Sequence, residues 1–171
     1  MFIFLCMVAG YLYATWLEWI LHKYILHGLG KKKNSWFNFH WHDHHQTCRK
    51  NKNVDKSYHH WLSPSVRREI LSLYALKVAH LPLYFIMPWF YYTICFCAVR
   101  YFYMHQKAHR DVEWGKKHMP WHYDHHMGPD QDANWCVTHP FFDHVMGTRK
   151  RYAFTREEEI RRQSATERRE P

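Results

Sequence analysis

Two stretches of this chain carry no charged side chain: Met1–Leu17, and the nineteen residues LPLYFIMPWFYYTICFCAV from Leu81 to Val99. Uncharged apolar runs of about eighteen residues or more read as membrane-spanning candidates. The negative mean hydropathy of the whole chain hides them, because charges and histidines are packed into the other segments. Met1–Leu17 could instead be a signal peptide. It lacks a basic leading region and a small-residue cleavage site, and it runs straight into a histidine-bearing segment, so it reads as retained.

At 171 residues the chain is one domain by length. Residues 1–27 read as a helix that crosses the membrane and stops at Gly28, Gly30 and the lysines Lys31–Lys33. Residues 34–62 are polar, aromatic and histidine-rich, with short helical pieces, and Ser63-Pro64-Ser65 reads as a turn and cap. A continuous helix over 66–104 would be about 58 Å long, roughly twice the hydrocarbon thickness. It must fold back or leave the bilayer. Pro is accepted at the first position of a helix and resisted inside one. This sets helices near 66–86 and 88–106 with the turn at Met87-Pro88, and Pro82 kinks the first. The expected fold is an all-α integral membrane protein with about three transmembrane helices, near 1–22, 66–86 and 88–106, the last two a hairpin. A helical, histidine-rich cap completes it, and 149–171 is a charged tail, solvated or disordered.

The formal charge of +9 does not point to nucleic acid. Lys31–Lys33, Arg49, Lys50, Lys52, Lys56, Arg67, Arg68, Lys107, Arg110, Lys116 and Lys117 flank the apolar spans on the histidine-bearing side. That is the positive-inside pattern, which puts the histidines in the cytoplasm. Cys6, Cys48, Cys95, Cys97 and Cys136 are an odd number without a CxxC pair, so neither a disulfide framework nor a cysteine-based zinc site is expected.

Histidine carries the chemistry. There are seventeen, and they are clustered. Glu18 and His22 share a helix face, and His27, five residues on, joins them only if the helix loosens at its glycine end. In His40-Trp-His42-Asp-His44-His45, positions 40 and 44 share a face, His45 can reach a second metal, and His42 points elsewhere. His105 and His109 are four apart at a membrane helix end. In the segment His118–His126, Pro120 can start and Gly128 can end a short helix, on which His122, His125 and His126 form one face converging on one place. Ten histidines (His22, His27, His40, His44, His45, His105, His109, His122, His125, His126) suffice for two metals with about five nitrogen ligands each, as iron, zinc or copper accept. Glu18, Asp43, Asp124 and Asp143 are candidates to orient the imidazoles. His59, His60, His118, His139 and His144 are expected behind the ligands or on the surface.

The spacing His-x4-His, His-x3-His-His, His-x3-His and His-x2-His-His around a hairpin resembles the fatty acid hydroxylase/sterol desaturase superfamily. The segment Asn134-Trp-Cys-Val-Thr-His139-Pro-Phe-Phe-Asp143-His144-Val-Met-Gly147-Thr148 is similar to that family's terminal stretch. The likeness covers roughly Glu18–Thr148, so 1–148 would be a hydroxylase-like membrane domain. It implies a membrane di-iron oxygenase that hydroxylates a lipid C–H bond, fatty acyl or sterol-like, with the ten histidines as ligands. It implies two iron ions (zinc an alternative occupant), O2, and an external electron donor such as a b-type cytochrome or a ferredoxin with its reductase. Family members often have four spans, against three read here, and the extra His42 leaves the choice between His40 and His42 open.

Carotenoid hydroxylation and lipid desaturation are alternatives of the same chemistry. A non-redox membrane metal-binding or transport protein is disfavoured because the spans hold only Lys77 and His80 as polar groups of that kind. A zinc hydrolase is disfavoured because there is no His-Glu-x-x-His and there are too many histidines for a three-ligand site.

Overall fold

The computed structural model describes residues 1–167; the last four positions of the expected tail lie outside the described residues. The chain is 72% helical, with no strand among the described residues. Prolines set the punctuation. Pro64, Pro82, Pro88 and Pro120 each stand in the first turn of a helix, where a missing N–H costs nothing. They open α3 (Pro64–Ala79), α4 (Pro82–Ile86), α5 (Pro88–Arg110) and α7 (Pro120–Met127). The kink expected at Pro82 is a break at His80-Leu81, and the fold-back expected at Met87-Pro88 is present, with Met87 at φ −139, ψ 71.

The first helix, α1 (Phe2–Ile20), runs beside α5. Gly10 makes this crossing close: a Cβ there would stand 3.0 Å from both Phe90 O and Thr93 Cβ. Further along, Glu18 accepts from Thr138 N and Arg100 donates to Thr138 O, so α1 and α5 run parallel. α3 runs against α5, with Glu69 beside His105 at one end and Lys77 O beside the Tyr91 hydroxyl at the other. Residues 20–29 and 105–110 therefore arrive at the same end of the bundle. Helix α6 (Val112–His118) folds back there against α5, α7 packs on α6, and α8 (Phe141–Val145) packs on α1.

Two helical stretches are long and apolar enough to cross a membrane, Phe2–Leu29 and Pro64–Ile86. The third expected span, α5, has the length at 23 residues but is not one of these two. Its tyrosines, Trp89, Arg100 and His105 dilute the apolar window. Large apolar side chains on all three point outward, among them Phe4, Phe85, Phe96 and Val99. Contiguous exposed apolar surface of this kind marks a face made to be covered.

The tail is more attached than a solvated end. The Tyr152 and Ala153 N–H groups donate to Asp124. On α9 (Arg156–Glu167), buried Glu158 meets Lys116 and Tyr123. Segment 149–158 thus straps helices α6 and α7 to the cap.

Candidate metal centre

His22 and His27 are five residues apart, as are His40 and His45, a spacing that diverges on an ordinary α-helix. In both places the backbone is π-helical, over Leu21–Leu29 and Phe39–His45, with bonds such as Gly30 N–H to Ile25 O at 3.0 Å. The i→i+5 turn stacks residues five apart, so the loosening required of His27 is met. α2 (Gln46–Lys50) continues from the second π segment.

These turns gather the imidazoles into two abutting groups. His22, His27, His40, His45 and His125 have ring nitrogens within 4.8 Å of one another, and so do His44, His105, His109 and His126. His122 adjoins the second group, with its Nε2 2.9 Å from His109 Nε2. All ten candidate histidines are buried and meet at one end of the bundle. The expectation that His122, His125 and His126 converge on one place is corrected. Adjacent residues on a helix point in different directions, so His125 serves the first group and His126 the second. His44 and His45 divide in the same way.

The structure places His40 and His42 apart. His40 lies in the first group, while His42 hydrogen-bonds Lys31 O at 3.1 Å. His59, His60, His118, His139 and His144 are exposed. His80 bonds the Tyr13 hydroxyl and Leu76 O, away from both groups.

Hydrogen bonds fix which ring nitrogen carries the proton. Oxygen acceptors that cannot donate face Nδ1 of His22 (Trp135 O, 2.6 Å), His125 (Ala133 O, 2.7 Å), His109 (Asn53 O, 3.0 Å), His44 (Asp55 Oδ2, 2.7 Å), His105 (Glu69 Oε1, 2.8 Å), His27 (Asp132 Oδ1, 3.3 Å) and His45 (Gln131 Oε1, 3.0 Å). In these rings Nδ1 donates, and in a neutral imidazole Nε2 is then a bare lone pair. Burial, and after it the neighbouring imidazoles, hold His40, His45, His122, His125 and His126 well below the usual histidine range. They are neutral at pH 7.

With Nδ1 protonated, several Nε2 lone pairs face one another, an arrangement that a cation would satisfy. The Nε2 atoms of His27, His45 and His125 form a triangle with every side 3.1 Å, three lone pairs aimed at each other. His22 and His40 Nε2 are 2.9 Å apart. His44 Nε2, His105 Nε2 and both nitrogens of His126 are buried without a partner. Nitrogens about 2.1 Å from one ion stand roughly 3.0 Å apart at right angles and roughly 3.4 Å apart in a tetrahedron, so the triangle fits one face of an octahedron. The residues present fit metal ions on these counts. A third grouping, His44, Cys48 and Asp55, lies on the Nδ1 side, where the hydrogen bond to Asp55 already accounts for His44.

The carboxylates read from the sequence as imidazole partners do other work. Glu18 accepts from Val137 N and Thr138 N, Asp43 pairs with Arg68, and Asp124 holds the strap and Arg149. Asp143 accepts from Trp135 N, Cys136 N and the Thr148 hydroxyl. Asp143 therefore acts one step back: it fixes the backbone whose Trp135 carbonyl orients His22. Asn134, in the left-handed region at φ 58, binds Lys150 through both ends of its amide, which sets the Ala133 carbonyl against His125.

The direct partners Asp55, Glu69, Asp132 and Gln131 were missed. Glu69 had a signal, being the only acidic residue between Pro64 and Arg110. Asp55 had a weaker one, a cap two residues before Ser57.

A cavity of about 750 Å³ opens between α1, α3 and α5. Its walls are apolar side chains such as Leu17, Leu21, Leu73, Leu76, Ile94 and Ala98, and it reaches His22, His40 and Glu69. Comparison with protein-family models, curated proteins and solved structures gives no match. The reading of function rests on this geometry and on the histidine spacing.

Proposed function

We propose that the chain is a membrane-bound di-iron oxygenase that hydroxylates a C–H bond of a lipid, in the manner of the fatty acid hydroxylase/sterol desaturase superfamily. One observation carries the reading: an apolar cavity among the bundle helices leads to the first imidazole group. A site for a water-soluble substrate would need polar walls, and a structural metal site would need no cavity at all.

The donor set favours iron over zinc. Structural zinc takes four ligands and catalytic zinc keeps three, whereas five imidazoles surround the first position. The ten histidines would hold two iron ions, which would supply the oxidising power for an unactivated C–H bond with O2 and electrons from a partner protein. The chain's part is positional. Seven Nδ1 hydrogen bonds aim the lone pairs, the buried cap excludes water, and the apolar cavity would admit a hydrocarbon chain as far as His22 and His40. The basic residues flanking the spans favour the cytoplasmic face and a docking surface for an acidic electron donor.

The test is to purify the full chain in detergent from iron-replete cells, measure metal content, and follow 18O2 incorporation into lipids of the expressing host. The expected result is two iron ions per chain and one 18O atom in a lipid hydroxyl. Zinc at one ion per chain, or lipids identical with and without the chain, would overturn the proposal.

A further inference from the structure

The two imidazole groups are backed by different chemistry. Behind the first stand mostly neutral acceptors: the Trp135 and Ala133 carbonyls and the Gln131 amide. Its one carboxylate, Asp132, has a side chain 55% exposed, reaches His27 at 3.3 Å, and gives both oxygens to Lys31 at 2.7 Å. Its charge is screened by water and cancelled by the ammonium.

Behind the second group stand two buried carboxylates. Asp55 accepts from His44 at 2.7 Å, with side-chain exposures of 3% and 2%. Its other partner is the Ser57 N–H. Glu69 accepts from His105 at 2.8 Å and from the Tyr58 hydroxyl at 2.7 Å. Among the described residues neither carboxylate pairs with a lysine or arginine. Among the described residues, the buried imidazole nitrogens without a partner lie on this side as well: His44 Nε2, His105 Nε2, both nitrogens of His126, and Nδ1 of the adjoining His122.

We infer that the two metal positions are unequal: the His44–His105–His109–His126 position fills first and holds a divalent cation more tightly than the position of the first group. A carboxylate behind an imidazole raises its basicity and adds negative charge one ring away from the ion, and away from water that charge is screened less than at the surface. The first position has no uncompensated charge behind its imidazoles. With His122 beside His109 each position has five imidazoles at hand, so ligand number alone would rank the two equal and the ranking discriminates. The inference rests on the ten histidines being ligands, as in the proposed function, but not on iron, O2 or a lipid.

The experiment uses the full chain in detergent, loaded with cobalt(II) and equilibrated against a graded series of chelator, with cobalt per chain and the cobalt ligand-field spectrum as readouts. Two separate release steps are expected. Asp55→Asn keeps an oxygen acceptor for His44 and removes the charge. It should weaken the later, tighter step by about tenfold to a hundredfold and leave the earlier step in place. Gln131→Ala should move only the earlier step. If Asp55→Asn loses the wild-type helix content, Glu69→Gln replaces it with the same expected result.

One release step for both ions, or an Asp55→Asn effect on the weaker step, would overturn the inference. Ordered cobalt release from a chain that acquires no iron in cells would overturn the oxygenase reading and leave the inequality standing. Equal cobalt sites in an iron-loaded, lipid-oxidising chain would do the reverse.

Discussion

Along the bundle shaft the large side chains turn outward. Phe96 is 64% exposed and Val99 70%, and most contacts inside are apolar. In the cap the relation is inverted. Buried residues there include ten histidines together with Asp55, Glu69, Asp124, Asn134, Asp143 and Glu158, and seven of the imidazoles are held through Nδ1 by a named oxygen while several other ring nitrogens have no partner. The shaft is held by a nondirectional preference for hydrocarbon, which tolerates exchange of one apolar side chain for another. The cap is held by directional bonds, and each member lost leaves another group stranded in a dry place. Substitutions of equal size should therefore separate the two regions sharply.

The largest effect is expected at the triangle. His125→Ala removes one corner and leaves the Ala133 carbonyl and the His27 and His45 lone pairs without their third partner. Metal analysis of the purified variant should show one ion per chain lost, while Phe96→Ala on the shaft retains the wild-type content. Equal metal content in the two variants would erase the contrast.

Next comes Asp143, which touches no imidazole. Asp143→Ala strands the buried N–H groups of Trp135 and Cys136 and the Thr148 hydroxyl, which in turn accepts from Trp19. Two buried donors left unpaired cost about 3 kcal/mol or more. Thermal unfolding in detergent should show a lower midpoint, and the metal should leave at a lower chelator concentration because the carbonyl behind His22 is no longer fixed. A midpoint within a degree of wild type would mean that the terminal segment is not what positions the ligands.

Acid should act on the strap before the shaft. Burial disfavours the ionised form of Glu158, but Lys116, the Phe154 N–H and the Tyr123 hydroxyl outweigh it and hold its carboxyl below the ordinary value of 4.5. A depressed folded-state pKa means that the carboxylate stabilises the fold fully above the ordinary value and that this contribution is lost as pH falls below it. The thermal midpoint should fall with pH below about 4.5 in wild type, and fall less in Glu158→Gln. A parallel decline in both proteins would remove Glu158 from the explanation. Asp55 and Asp130 also titrate in the acid range, so it is the difference between the two curves that counts.

How much of this could be read from the residues differs between the same two regions. Shaft elements announce themselves: the uncharged runs mark α1 and the hairpin, and Pro64, Pro82, Pro88 and Pro120 mark where helices begin, because proline acts on its own backbone. The ten cap histidines were found by spacing, but their division into two groups was not, since it depends on two π-helical turns that no local propensity signals. The orienting partners were the least visible. Gln131 and Asp132 reach their imidazoles from a loop 86 and 105 residues away, and Asp55 from a loop 11 residues past His44, whereas Glu18, four residues from His22, turns to the Thr138 backbone instead. Sequence proximity proposed the wrong carboxylates because loop closure, not helical register, brings acceptor to ring.

The smallest effect is expected from a polar contact between α1 and the end of α3 in the shaft. The Tyr13 hydroxyl lies 2.8 Å from His80 Nε2, and His80 Nδ1–H donates to Leu76 O. Nδ1 therefore holds the ring proton, Nε2 accepts, and Tyr13 is the donor. Tyr13→Phe leaves one acceptor unpaired in a half-buried place, and such hydrogen bonds between membrane helices average about 0.6 kcal/mol. The ring keeps its packing on Phe90 at 5.5 Å between centroids, so the apolar part of the contact survives. Metal content should be unchanged and the thermal midpoint should move by no more than a few degrees. A loss of metal from Tyr13→Phe would show that the break at His80-Leu81 transmits strain down α3 to Glu69 and His105, and the shaft would then be part of the centre rather than its support.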